Sequence, residues 1–194
     1  MKTLVTSLFI LIGMGINTAS AQINYYKETK TFHMAGYTYQ CDVPIDRLVT
    51  LYNKENKFTY EKLRFKDTGE IYDAFIYPGI KTFEDDTWTW SKCQSIVSKA
   101  FTIKEQSRMG DSVLGTSMII DSQTGKVIEV YFTFFDFEPL ATIPVSVFRS
   151  IEVELKKNIW FVPTAEGKRL NFILLTWGQN IKNSIRDIDE LIQP

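Results

Sequence analysis

The chain is short of the residues from which most catalytic and metal sites are built. It has one histidine, His33, and two cysteines, Cys41 and Cys93. One imidazole cannot assemble a His-rich metal centre, and two thiols are too few for a cysteine-based zinc site. A Ser-His-Asp triad would have to use His33, and no G-x-S-x-G elbow presents a serine. His33 lies in an alternating stretch and reads as a half-exposed strand residue. Gly110 and Gly115 flank a strand start without the G-K-[ST] ending of a phosphate loop. Charge of one sign is missing too: 22 basic and 23 acidic side chains leave a net charge of −1. Nucleic acid is therefore a poor partner, since phosphate binding depends on clustered Lys and Arg. The pair Lys156-Lys157 reads as the last turn of a helix, where cations suit the dipole. There is no Pro-rich linker, repeat or low-complexity tract. At 14% Phe, Trp and Tyr the chain is too aromatic for a disordered one.

No apolar run reaches the roughly 20 residues of a spanning helix. The longest, 4–16, follows Lys2 and ends in Asn17-Thr18-Ala19-Ser20-Ala21, a small-residue stretch of the A-x-A type. This pattern predicts a cleavable export signal over residues 1–21, with Gln22 as the first mature residue. It implies a periplasmic or extracellular protein with no stable membrane span. Neither cysteine directly follows the cleavage site, so no lipid anchor is expected. The remainder is one domain, read as a strand and hairpin region over 22–87 and an α+β region over 88–194. Cys41 and Cys93 leave two readings open. A disulfide in an oxidising compartment would stabilise by about 4 kcal/mol in the chain-entropy model; two buried thiols are the alternative.

Residues 22–30 are polar and expected to be loosely held. Residues 31–40 alternate around Phe32, Met34, Tyr37 and Tyr39 and predict a strand with a break at Gly36. The mixed stretch 48–58 reads as a short helix. Residues 63–72 predict a hairpin around Lys66-Asp67-Thr68-Gly69. Asp85-Asp86-Thr87 can cap a helix that presents Trp90, Cys93, Ile96, Val97, Ala100 and Phe101 on one face and ends before Gly110. Strands are expected over 113–121 and 126–135, joined by a turn at 122–125. Pro144 suits the first turn of a helix that buries Phe148, Ile151, Leu155 and Ile159, turns Glu152, Glu154, Lys156 and Lys157 to water, and stops at Pro163. A strand over 170–177 and a helix over 181–191 follow. Asp187, Asp189 and Glu190 then form that helix's solvated face. Helices laid across one face of an antiparallel sheet make an α+β two-layer sandwich.

The stretch Gly125-Lys126-Val127, a helix ending in Trp160-Phe161-Val162-Pro163, then Gly167 and a strand, resembles the C-terminal domain of the TonB family over residues 105–178. The likeness implies that fold, and a binding mode in which an extended partner segment adds to an exposed strand edge. TonB transducers keep a membrane helix and a Pro-rich linker, and this chain has neither. As a whole it resembles the uncharacterised small secreted proteins of Bacteroidetes.

Three candidate surfaces remain. Glu84-Asp85-Asp86 offers neighbouring carboxylates for acid/base work or Ca²⁺, though capping explains them more simply. Tyr77, Trp88 and Trp90 could stack sugars, or else belong to the core. Tyr25-Tyr26 and Tyr37-Tyr39 read as partner contacts or as ordinary strand composition. The expectation is a non-enzymatic envelope module, without cofactor, that binds a protein or peptide; the alternative is a glycan-binding protein.

Overall fold

The alternation over 31–40 breaks at Gly36, whose φ of 83° suits a residue without a Cβ. The break is a hairpin turn between β1 (Lys30–Met34) and β2 (Tyr37–Asp42), which pair antiparallel with Phe32 opposite Tyr39. The structure, a computed structural model, describes residues 23–85 and 87–182. Outside the described residues lie the expected export signal, Asp86, the side chain of Trp88, and the expected 181–191 helix beyond its first two residues, with Asp187, Asp189 and Glu190.

Where a short helix was expected, the chain forms β3 (Leu48–Asn53). Its β-branched and aromatic residues alternate with period two, so Val49, Leu51 and Asn53 turn inward while Thr50 and Tyr52 turn outward. The hairpin over 63–72 is present: Arg64 bridges Ile71, and Phe65 N–H donates to Glu70 O at 2.9 Å. The first long helix, α1 (Thr87–Lys99), begins where Asp85 Oδ1 accepts from Thr87 N–H at 3.2 Å. It stops ten residues short of the expected end because Thr102 and Glu105 form a reciprocal capping box that starts α2 (Ile103–Arg108).

β4 (Val113–Ile120) and β5 (Val127–Phe135) form the expected hairpin. The helix α3 (Val145–Asn158) takes Pro144 as its N-cap and ends well before Pro163, with Ile159 already extended. Lys126 there bridges Trp160, and Phe161 N–H donates to Gly125 O at 2.9 Å. Gly125 has φ of 72°, and a Cβ on it would lie 1.8 Å from Phe161 O. The Gly-Lys-Val turn and the Trp-Phe-Val-Pro element are thus one packed unit. β6 (Ile173–Asn180) completes a six-stranded antiparallel sheet in the order β1-β2-β3-β5-β4-β6. The fold is α+β.

The helices α1 and α3 cover one face of this sheet. Phe148 of α3 stacks on Phe134 of β5 at 5.3 Å, and Trp90 of α1 meets Trp177 of β6 edge-on at 5.4 Å. The segment expected to hang loosely before β1 is anchored instead. Tyr26 is fully buried, its ring meets Phe32, Phe134 and Phe148, and its Oη donates to Ile143 O at 2.8 Å. Both thiols are unbridged and buried, so of the two readings for the cysteines the structure takes the one without a disulfide. The sheet explains this. Cys41 is on β2, whereas α1, which carries Cys93, is bonded to β6 through Gln179. Those strands are four spacings apart, roughly 19 Å, and a disulfide needs Cα atoms within about 7 Å. Burial pushes the Cys41 thiol up to about 12.

Candidate functional site

Period-two alternation gives β2 and β3 two chemistries. Facing the helices, Tyr39 and Asn53 are register partners and both are buried. Between them and the helix sits Glu152 of α3, which the spacing of its helix had assigned to solvent. It is 0% exposed. Its carboxylate accepts from Tyr39 Oη, from Asn53 Nδ2 at 3.4 Å, from Arg149 at 2.7 Å and from Lys156 at 3.5 Å. Burial and then the adjacent carboxylate push the Tyr39 phenol far above its ordinary range. Glu152, Tyr39 and Asn53 are enclosed, and the evident work of the network is to pin β2 and β3 to α3.

One residue along each strand, the side chains reverse. Gln40 and Tyr52 are partners on the open face, with Asp42 opposite Thr50 beside them. Asp42 Oδ2 accepts from Tyr60 Oη at 2.6 Å and Tyr52 Oη at 3.0 Å, and Oδ1 accepts from Gln40 Nε2 at 2.9 Å. Gln40 Oε1 accepts in turn from Thr31 Oγ1 at 2.8 Å. Gln40, Asp42, Tyr52 and Tyr60 line a cleft of about 310 Å³ with Lys54, Asn56, Lys57, Thr59 and Glu61, at the small end of ligand sites. The Tyr60 ring stands edge-on to Tyr52 at 5.7 Å and 87°, and 66% of the residue is exposed.

The segment bearing Tyr60 is held in place. Both oxygens of Glu129 accept backbone N–H groups, from Lys57 at 2.7 Å and Phe58 at 2.9 Å. Asn56 Nδ2 donates to Val130 O at 3.0 Å, and the Phe58 ring rests on Phe172 at 5.2 Å. The cleft wall is therefore built before any ligand arrives.

Burial raises the Asp42 pKa, and the bonds from Tyr60, Gln40 and Tyr52 outweigh it, leaving the carboxyl below its ordinary range. Burial and the bond to Asp42 push the Tyr52 phenol up to about 12. At neutral pH the centre of the cleft is one carboxylate ringed by neutral donors. A carboxylate has roughly four acceptor positions, and three are filled by these donors. A general acid needs its pKa raised, and Asp42 is held the other way.

The residues singled out from sequence are dispersed. Tyr77 stacks on Tyr72 at 6.0 Å and meets Phe65 edge-on at 5.2 Å, while the ring partner of Trp90 is Trp177, so no ring contact joins Tyr77 to Trp90. Tyr26 and Tyr39, read as partner contacts or as ordinary strand composition, are buried, which rules out the first reading for these two. His33 is exposed on the edge strand β1. Glu84 is exposed, and Asp85 caps α1. Among the described residues no three His, Cys, Asp or Glu side chains gather as a metal site. Asp42, Tyr52 and Tyr60 went unnoticed in the sequence, where the available signal was the alternation of 48–53, which sets Tyr52 beside Gln40.

No curated protein is similar to the chain. A crystal structure of a DUF5043 family protein from Bacteroides uniformis superposes with a TM-score of 0.78 at 45% identity, over 82% of this chain and 95% of that one. The family model for DUF5043, a domain of unknown function, matches residues 22–177, which takes in every element from β1 to the middle of β6. The chain belongs to the DUF5043 family.

Proposed function

We propose that this protein is an exported, non-enzymatic binding module whose ligand is a glycan held in the Asp42–Tyr52–Tyr60 cleft. The observation that carries the reading is the convergence of Tyr60, Tyr52 and Gln40 on Asp42 beneath an exposed tyrosine ring. Sugars present hydroxyls that need fixed donors and acceptors, and apolar C–H faces that need a flat ring. The cleft offers both. Its lining is phenols, amides, a threonine and balanced charges rather than an apolar socket for a peptide side chain. For export, the family match begins at Gln22, the residue at which the sequence places the mature start.

A glycan array probed with the purified protein tests the reading, with Tyr60→Ala and Asp42→Asn as controls. Saturable binding lost in both variants is expected. Binding unchanged in either variant, or release of reducing ends from a bound glycan, overturns it. A second reading is the strand-edge mode implied by the TonB likeness: β6 is eight residues long and lies at an edge of the sheet among the described residues. In-cell crosslinking to one reproducible envelope protein, lost when Thr176→Pro is introduced on β6, would favour it.

A further inference from the structure

The cleft is one end of a trough that crosses the sheet. Strand register fixes which side chains stand beside Asp42 on the open face. One row runs Gln40, Tyr52, Tyr131, Ser117, Thr176, from β2 through β3, β5 and β4 to β6, in which Ser117 is itself buried and bonded to Thr176 at 2.9 Å. The neighbouring row runs Asp42, Thr50, Thr133, Gly115, Gly178. Beyond Asp42 neither row holds a charged residue, and neither holds an aliphatic one.

Both flanks are raised. On one side the segment 54–62 lies over Glu129, whose carboxylate it holds and helps to bury on what would otherwise be open sheet. On the other side Leu48 pairs with Phe135, and Val113 comes two residues before Gly115 on β4. These three are partly exposed at 36%, 39% and 48%, and they form an apolar ridge. Two rows of one face span about 7 Å along a strand, and the path from β2 to β6 is about 19 Å. The trough is one ring wide and several rings long.

We infer that the ligand is a linear, uncharged oligosaccharide that leaves the cleft and lies across the strands, with Tyr131 as the second ring beneath it. This rests on the glycan reading of the cleft. Absence of charge follows from the lining. Asp42 and Glu61 offset Lys54 and Lys57 at the cleft, and the rest of the floor is hydroxyl, amide and glycine. The hydroxyls of Thr50, Thr133 and Thr176 can each donate and accept, and the Leu48–Phe135–Val113 ridge receives the C–H faces. A floor of this kind gives each added sugar contacts of its own, so affinity grows with chain length.

The test is calorimetric titration of the full chain with cello-, xylo-, manno- and malto-oligosaccharides from two to six units, with oligogalacturonate as the acidic comparison. In the series that binds, affinity rises about tenfold between two and four units, or ~1.4 kcal/mol. Tyr131→Ala retains dimer binding and loses that rise; Tyr60→Ala loses both. Thr176→Arg, at the exposed far end, truncates the rise without touching the cleft. Equal affinity for short and long chains, a length dependence unaltered by Tyr131→Ala, or preference for oligogalacturonate overturns the inference and leaves the cleft standing. No binding to any series overturns the glycan reading itself, and the trough with it.

Discussion

Replacing Glu152 by alanine should cost far more than its helix spacing suggests. The side chain is fully buried, and four groups converge on its carboxylate. Two of them can recover. The side chains of Arg149 and Lys156 are 29% and 37% exposed and can turn to water, so losing those pairs costs little. Tyr39 Oη and Asn53 Nδ2 belong to buried residues; Asn53 Nδ2 is orphaned, and Tyr39 Oη keeps only Arg149, a donor that cannot replace the acceptor its proton loses, at about 1–3 kcal/mol each. With the cavity added, Glu152→Ala should destabilise by about 4 kcal/mol, in line with roughly 3–5 for breaking one side of a buried pair. Tyr39→Phe, which loses one bond to a charged acceptor, should cost about 2 kcal/mol, and Lys156→Ala less than about 1. Because Glu152→Ala and Tyr39→Phe remove the same bond, the double variant should fall short of the sum by about 1 kcal/mol or more. Urea unfolding followed by tryptophan fluorescence measures all four, and unchanged m-values confirm that the same transition is compared. A loss below about 1 kcal/mol for Glu152→Ala, or strict additivity in the double variant, refutes the reasoning.

Other consequences follow from the same contacts. Gly125→Ala should destabilise by several kcal/mol, because its Cβ would meet Phe161 O at 1.8 Å, whereas Gly36→Ala, at φ of 83° with nothing within 4 Å, should cost only the left-handed penalty of about 1–2 kcal/mol; thermal melts separate them. Thiol titration should find no reactive thiol in the native protein and two on unfolding, since Cys41 and Cys93 are buried and not bridged to each other; an intact mass two daltons light would show a bridge instead. Asp42, Asp67 and Asp121 are all held below the ordinary carboxylate pKa. The folded state then binds fewer protons than the unfolded one, so their contribution is present above about pH 3.9 and is lost as pH falls below it. Acid denaturation should show a plateau from neutral pH to about 5 and a fall beneath 4, and Asp42→Asn should flatten part of that slope.

How much of this was legible in the sequence depends on what each residue answers to. The β4–β5 hairpin and the apolar stripe of α3 follow from local periodicity and turn chemistry and stand where expected; the break at Gly36 does too, although it turns the chain between two paired strands rather than interrupting one. β3 was misread because 48–58 contains two different things, a six-residue strand and the segment that folds over the open face. Only the strand alternates, and the averaged window hid it. The single helix expected before Gly110 broke in two because Thr102 and Glu105 cap each other, a local signal that was present and passed over. Tyr26 could not have been placed by pattern at all. Its pocket is made of Phe32, Phe134 and Phe148, residues that come together only in three dimensions.

The candidate site was illegible for a more specific reason. Reading a helical glutamate as solvated assumes that the buried face is apolar throughout. In α3 that face includes one carboxylate, because the strands opposite present a phenol and an amide as register partners. The same rung decides the site. If Tyr39 and Asn53 face Glu152, then Gln40 and Tyr52 must face the other way, and a slip of one residue would turn Asp42 inward and bury its charge. The enclosed network and the open cleft are thus two sides of one register. Glu152→Ala, though it touches nothing in the cleft, should weaken ligand binding by loosening that register. Tyr60→Ala should abolish binding and leave the unfolding midpoint nearly unchanged. If Glu152→Ala were to lose stability while keeping full affinity for the glycan, the two faces would not be coupled in this way.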